Sequence, residues 1–167
     1  PLFSPLICDY YSGMVVSVPL YTSMLKGVSS VEDVHKAIDE AIRVTKNDGV
    51  ILVAFLSVYA IMNDNYLNGT FAAGVEENFD GEFKVKHFEE QLFTGYDIVE
   101  FEQLFELHKT KYITTVAVDN ILELAEGRAD FKMSEEEFAL FVKYHLATCE
   151  KRELLGSSSH LLYICKK

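Results

Sequence analysis

The sequence predicts an α/β protein, and three neighbouring stretches carry that prediction. The first is Gly13-Met-Val-Val-Ser-Val18, a short β-branched run closed by Pro19, which has no amide proton for a sheet ladder. The second begins at Ser29, whose spacing to Glu32 spells a capping box, and continues through Val31, Val34, Ile38, Ala41 and Ile42 at helical intervals. Asn47-Asp48-Gly49 supplies turn chemistry that stops this helix near Lys46. The third is Val50-Ile-Leu-Val-Ala-Phe-Leu56, apolar without alternation, as expected of a strand covered on both faces. Strand, helix and strand in that order make a βαβ unit, with 13–18 and 50–56 parallel and adjacent.

The remaining elements follow in turn. Residues 58–95 are punctuated by Asn63, Asn65, Asn68, Gly69, Gly74 and Gly81 and rich in phenylalanine. They read as an inserted cap of short elements, with a hairpin near Phe79-Asp-Gly-Glu-Phe83 or an ordinary surface excursion in its place. Ile98 to Leu107 has helical spacing with Val99, Phe101, Leu104 and Phe105 inward, and Lys111 to Val118 is strand-like. A short helix over Ile121 to Glu126 should end at Gly127. Ser134-Glu-Glu-Glu137 is a second capping box, opening a helix to about Glu153 with Phe138, Phe141, Val142, His145, Leu146 and Cys149 on its inner face. His160 to Cys165 is the last strand, and the whole of 1–167 reads as one domain.

Composition narrows the function classes. Hydrophobic residues are 49% of the chain and aromatics 13%, a folded profile. No apolar run approaches the roughly 20 residues of a membrane span, and the N-terminal segment has no basic region of the signal-peptide kind. The formal net charge of -11 comes with no cluster of Lys and Arg to track phosphates. Nucleic acid and membrane are therefore not expected as partners. Cys8, Cys149 and Cys165 are an odd set with no CxxC, the pattern of reduced thiols in a cytoplasmic protein. His145 and Cys149 share a helix face, but two ligands make no metal site, and none is expected.

Three stretches resemble the C-terminal half of the class I S-adenosylmethionine-dependent methyltransferases, a Rossmann-like family. Val18-Pro-Leu-Tyr21 resembles the end of that family's fourth strand, usually Gly-Pro-Leu-Tyr-His. Ala41 to Ser57 resembles its "RVLKPGG" helix, turn and fifth strand, with Asn47-Asp48 in place of Pro-Gly. Leu154-Leu-Gly-Ser-Ser-Ser-His-Leu-Leu-Tyr163 is similar to the close of a bacterial subgroup. The resemblance implies a mixed sheet in the order 4-5-7-6, with 160–165 antiparallel to 111–118. Ser12, Val18 and Thr22 depart from the family's Asp, Gly and His, and nothing spells the D-x-G-x-G loop that lets backbone approach the cofactor. The nucleotide pocket is thus expected to be half built at best.

By resemblance, Val18, Pro19 and Leu20 lie on the cofactor side, against S-adenosylmethionine. Tyr21, Ser57, Tyr59, Phe93, Tyr96 and His160 are the candidates for contact with a small-molecule or protein methyl acceptor. Each has a plainer alternative. Pro19 ends a strand, the aromatics pack locally, and His160 bonds a neighbouring carbonyl. No residue stands out as a general base. The competing function is a non-catalytic methyltransferase-like scaffold or assembly module. In either case the apolar strand 13–18 is expected to pair with a strand from a second copy, giving a homodimer, or from an N-terminal half, unless residues 1–11 cover it.

Overall fold

The computed structural model describes residues 31–87 and 94–167. The expected strand 13–18, the capping residue Ser29, and the candidates Val18, Pro19, Leu20, Tyr21 and Phe93 lie outside the described residues. Within them the chain is α/β, with seven helices and a four-stranded mixed sheet. Among the described residues no helix is long and apolar enough to cross a membrane.

Helix α1 (Val31–Val44) ends in the expected turn, where Asp48 takes the left-handed conformation at φ 61° and Gly49 donates its amide to the Lys46 carbonyl. Strand β1 (Val50–Ser57) leads directly into α2 (Val58–Leu67) and α3 (Phe71–Asn78). The described part of the cap segment is thus largely helical, with an isolated antiparallel bridge, Phe79 to Val85, at the position of the expected hairpin. Two-residue strand β2 (Gly95–Tyr96) follows, then α4 (Ile98–Gln103), shorter than expected because the chain turns after Leu104. Strand β3 (Lys111–Ala117), α5 (Leu122–Glu126), α6 (Glu135–Thr148), α7 (Arg152–Leu155) and β4 (His160–Lys166) complete the order. Lys151, extended at ψ 116°, divides the helix that the sequence carried on to Glu153.

The sheet order is β2-β1-β4-β3. Strand β4 lies antiparallel between β1, from Val50 opposite Lys166 to Leu56 opposite His160, and β3, from Lys111 opposite Lys166 to Ala117 opposite Leu161. The expected antiparallel pairing of the last two strands is therefore present, with β1 on the far side of β4. On its other edge β1 pairs in parallel with β2, at Leu56–Gly95 and Ser57–Tyr96. Gly95 fits because a Cβ there would stand 2.9 Å from the Val58 Cα and 2.8 Å from Ile61.

One sheet face carries the core. Ile51, Phe55, Leu161, Tyr163, Cys165 and Ala117 meet Ile38 of α1, Phe101, Phe105 and Leu155. The Phe55 and Phe101 rings stack at 3.7 Å between centroids, and Phe105 stacks on Tyr163 at 4.1 Å. His108 joins α1 to this layer, with one ring nitrogen 2.9 Å from His35 and the other 2.9 Å from Asp39.

Two burial expectations are corrected. Among the described residues strand β1 is covered on one face only, and Val50 and Leu52 of the other face are 51% and 42% exposed. Helix α6 keeps its capping box, Ser134 to Glu137, but has no buried residue, and Phe138 and Leu146 are exposed. The rings of Phe138, Phe141 and His145 stack along the helix surface instead of entering the core. Periodicity recorded that these faces are apolar; it did not record what they meet.

Phe101, buried between Phe55 and Phe105, is the hinge of this packing. Phe101→Ala should lower unfolding free energy by about 3 to 5 kcal/mol, measured by urea denaturation. A loss within the scatter of surface substitutions would show that α4 is not held on the sheet as described.

Candidate functional site

Strands β1, β2 and β3 run in one direction, so their carboxyl ends lie along one edge of the sheet. An antiparallel β4 must begin where its neighbours end, which brings His160 and the loop before it to the same edge. Open α/β sheets bind ligands at such an edge. The Ser57 amide donates to the Ser159 carbonyl at 2.9 Å, closing β1 onto that loop.

Two side-chain groups occupy the edge. In the first, the Tyr59 hydroxyl donates to Asp97 Oδ2, while Asp97 Oδ1 caps α4 by accepting from the amides of Val99 (2.7 Å) and Glu100 (3.1 Å). The bond to Asp97, with burial and the nearby carboxylates of Asp97 and Glu100, pushes the Tyr59 phenol up to about 12. Tyr96 packs beside it against Phe101 and His87, and burial raises its phenol as well. Burial also lowers the His87 imidazole, against a smaller opposing pull from Glu100.

The second group is built on Asp119, just past β3. Its Oδ2 lies 2.6 Å from His160 Nδ1, and its Oδ1 accepts from the Ser158 hydroxyl and from the His160 amide at 3.3 Å. Burial alone would raise the Asp119 carboxyl. The bonds from Ser158 and from the His160 ring and amide, with the charge of that ring, outweigh it and hold the carboxyl below its usual range. Ser158 Oγ lies 2.7 Å from the His160 carbonyl and accepts from the Asn120 amide at 3.0 Å. Asn120 turns the chain towards α5 with a left-handed φ of 54°, a conformation that asparagine tolerates better than most residues. Glu123 of α5 brings a second carboxylate to within 3.8 Å of His160 Nδ1, and from there an open cleft of about 440 Å³ extends to Asp64, Leu67 and Arg128.

Among the described residues four buried side-chain polar atoms have no hydrogen-bond partner, and three of them belong to this edge: Ser57 Oγ, Asn120 Nδ2 and Glu123 Oε2. Buried polar atoms are ordinarily paired, and these three retain bonding capacity at the carboxyl edge. Asp119, Glu123 and His160 bring ligand-type atoms within 4.8 Å of one another, a grouping that exposed acidic side chains commonly make without a cation. Asp119 Oδ2 and His160 Nδ1 are bonded to each other, so the grouping is closed by its own hydrogen bond.

Of the candidates named from sequence, Ser57, Tyr59, Tyr96 and His160 are described, and all four lie along this edge. Ser57 is fully buried, whereas Tyr59 is partly exposed. Asp97, Asp119, Asn120, Glu123 and Ser158 were missed. A signal existed for three of them: Asp97 stands three residues before Glu100 at a helix start, and Asp119-Asn120 is turn chemistry directly after a strand. No family model matches the chain, and no curated protein matches it either.

The Tyr59 phenol is protonated in folded and unfolded chains below about pH 10, where it adds no pH dependence. Between about pH 10 and 12 the unfolded chain ionises first, so this residue makes stability fall as pH rises. NMR titration of the Tyr59 ring should give a midpoint near 12 that drops in Asp97→Asn. An ordinary midpoint in the wild type would contradict the Tyr59–Asp97 bond.

Proposed function

We propose that residues 1–167 are the C-terminal part of a class I S-adenosylmethionine-dependent methyltransferase of the cytoplasm, acting on a small-molecule or protein acceptor. The observation that carries this reading is the final strand: β4 runs antiparallel between β1 and β3, the 5-7-6 arrangement that the resemblance implies. The unpaired polar atoms at the carboxyl edge support it further. When bound, S-adenosylmethionine supplies a methyl group made electrophilic by its sulfonium. Among the described residues none forms a glycine-rich turn to cradle it, so the cofactor pocket calls for chain beyond them. The part of these residues is on the acceptor side. Tyr59, Tyr96 and His160 would fix the acceptor's orientation, and orientation supplies much of the rate in such transfers.

A second reading, a non-catalytic assembly module, is favoured by the exposed apolar side chains of β1 (Val50, Leu52) and of α6 (Phe138, Leu140, Leu146). The reading frame upstream of Pro1 discriminates the two. A D-x-G-x-G motif there supports the enzyme, and a start codon near Pro1 supports the module.

Calorimetric titration provides the binding test. Residues 1–167 alone should bind S-adenosylmethionine weakly or not at all, and a chain that includes a glycine-rich half should bind it well. Micromolar binding by residues 1–167 would overturn the half-pocket, and no binding by the longer chain would overturn the methyl-transfer reading.

A further inference from the structure

The imidazole of His160 is held in a way that fixes which of its nitrogens faces outward. Asp119 Oδ2 stands 2.6 Å from Nδ1, and Asp119 is itself anchored by the Ser158 hydroxyl and the His160 amide. A carboxylate can only accept, so in the neutral ring the proton belongs on Nδ1 and the lone pair on Nε2. The other carboxylate near the ring, Glu123, also stands on the Nδ1 side, at 3.8 Å. The His160 side chain is 51% exposed and Asp119 22% exposed, so the ring reaches outward while its anchor stays inside. Carboxylate, oriented imidazole and outward Nε2 are the parts of a positioned base.

We propose that His160 is the proton-accepting residue of this edge, with Asp119 as its positioning residue. A ligand hydroxyl or ammonium group at the carboxyl ends of β1 and β3 gives its proton to Nε2, and the imidazolium so formed is stabilised by Asp119 on the opposite nitrogen. The donor keeps the electron pair of the broken O–H or N–H bond and becomes a better nucleophile. The identity of that donor as a methyl acceptor rests on the methyl-transfer reading; the orientation of the ring does not. The proposal narrows the acceptor to a molecule whose reacting oxygen or nitrogen carries a proton beforehand.

Long-range proton–nitrogen NMR of the histidine rings tests the orientation, together with carbethoxylation by diethyl pyrocarbonate, which attacks an unprotonated ring nitrogen. In the wild type neutral His160 should carry its proton on Nδ1, and Asp119→Glu should retain it there. Asp119→Asn should admit the Nε2–H form that a free histidine side chain favours, and carbethoxylation of His160 should slow several-fold. The Asp119→Glu variant keeps the test decisive should Asp119→Asn fail to fold. An Nε2–H ring in the wild type, a reaction rate indifferent to Asp119, or stoichiometric zinc bound through Nδ1 would overturn the proposal.

Methyl-transfer assays with the longer chain, using a panel of small amines, phenols and alcohols, separate the two claims. Transfer whose kcat falls about a hundredfold in His160→Gln, with KM little changed, supports the role. Transfer with kcat unchanged in that variant overturns it. No transfer by the wild type counts against the methyl-transfer reading and leaves the NMR result to decide the proposal about His160.

Discussion

The antiparallel insertion of β4 between β1 and β3 is the constraint on which the other features depend. Its alternation puts Leu161, Tyr163 and Cys165 on one face, where they meet Ile51, Phe55 and Ala117 from the flanking strands. That common face gives α1 and α4 an apolar surface to cover, and burial of such surface is the main favourable term in folding. Without β4, β3 would have no strand partner among the described residues and β1 would keep only its short pairing with β2.

The direction of β4 also creates the site. A parallel strand in the same position would begin at the far edge, away from the ends of β1 and β3. Running antiparallel, β4 starts beside their carboxyl ends, so the Ser158–His160 segment meets Asp119 across a sequence separation of about forty residues. Chain reversal at Asn120 then brings Glu123 back towards the same ring. Core and site therefore share one cause. The odd-numbered residues of β4 build the interior, and its first residue reaches the edge where the partnerless polar atoms gather.

What the sequence disclosed follows from how local each signal is. Strands β1, β3 and β4 were legible within one or two residues, because their β-branched and apolar runs are bounded by turn residues. The Ser134 capping box was legible for the same reason, since both partners lie within one helical turn. The burial of α6 was not legible, because an apolar helical face is a local property and its cover is a tertiary one. At the site, His160 was found through a motif, whereas its partner Asp119 follows the neighbouring strand β3, and its turn chemistry does not say which side chain it meets. Ser57 and Tyr59 were found by their positions at or just past a strand end and Tyr96 as an aromatic of the cap, so the edge was foreseeable in part while its hydrogen bonds were not.

The account as a whole holds that β4 completes one half of a larger sheet, with ligand chemistry at the carboxyl edge of β1 and β3. A crystal structure of a longer chain carrying the glycine-rich half, grown with S-adenosylhomocysteine, tests this most directly. The account predicts a further parallel strand along Val50–Phe55, on the edge of β1 where β2 pairs only at Leu56 and Ser57, with the ligand seated beyond the carboxyl ends and its sulfur on the side of Ser57 and His160. A ligand bound away from that edge, or a β1 whose Val50–Phe55 stretch gains no strand beside it, would contradict the account.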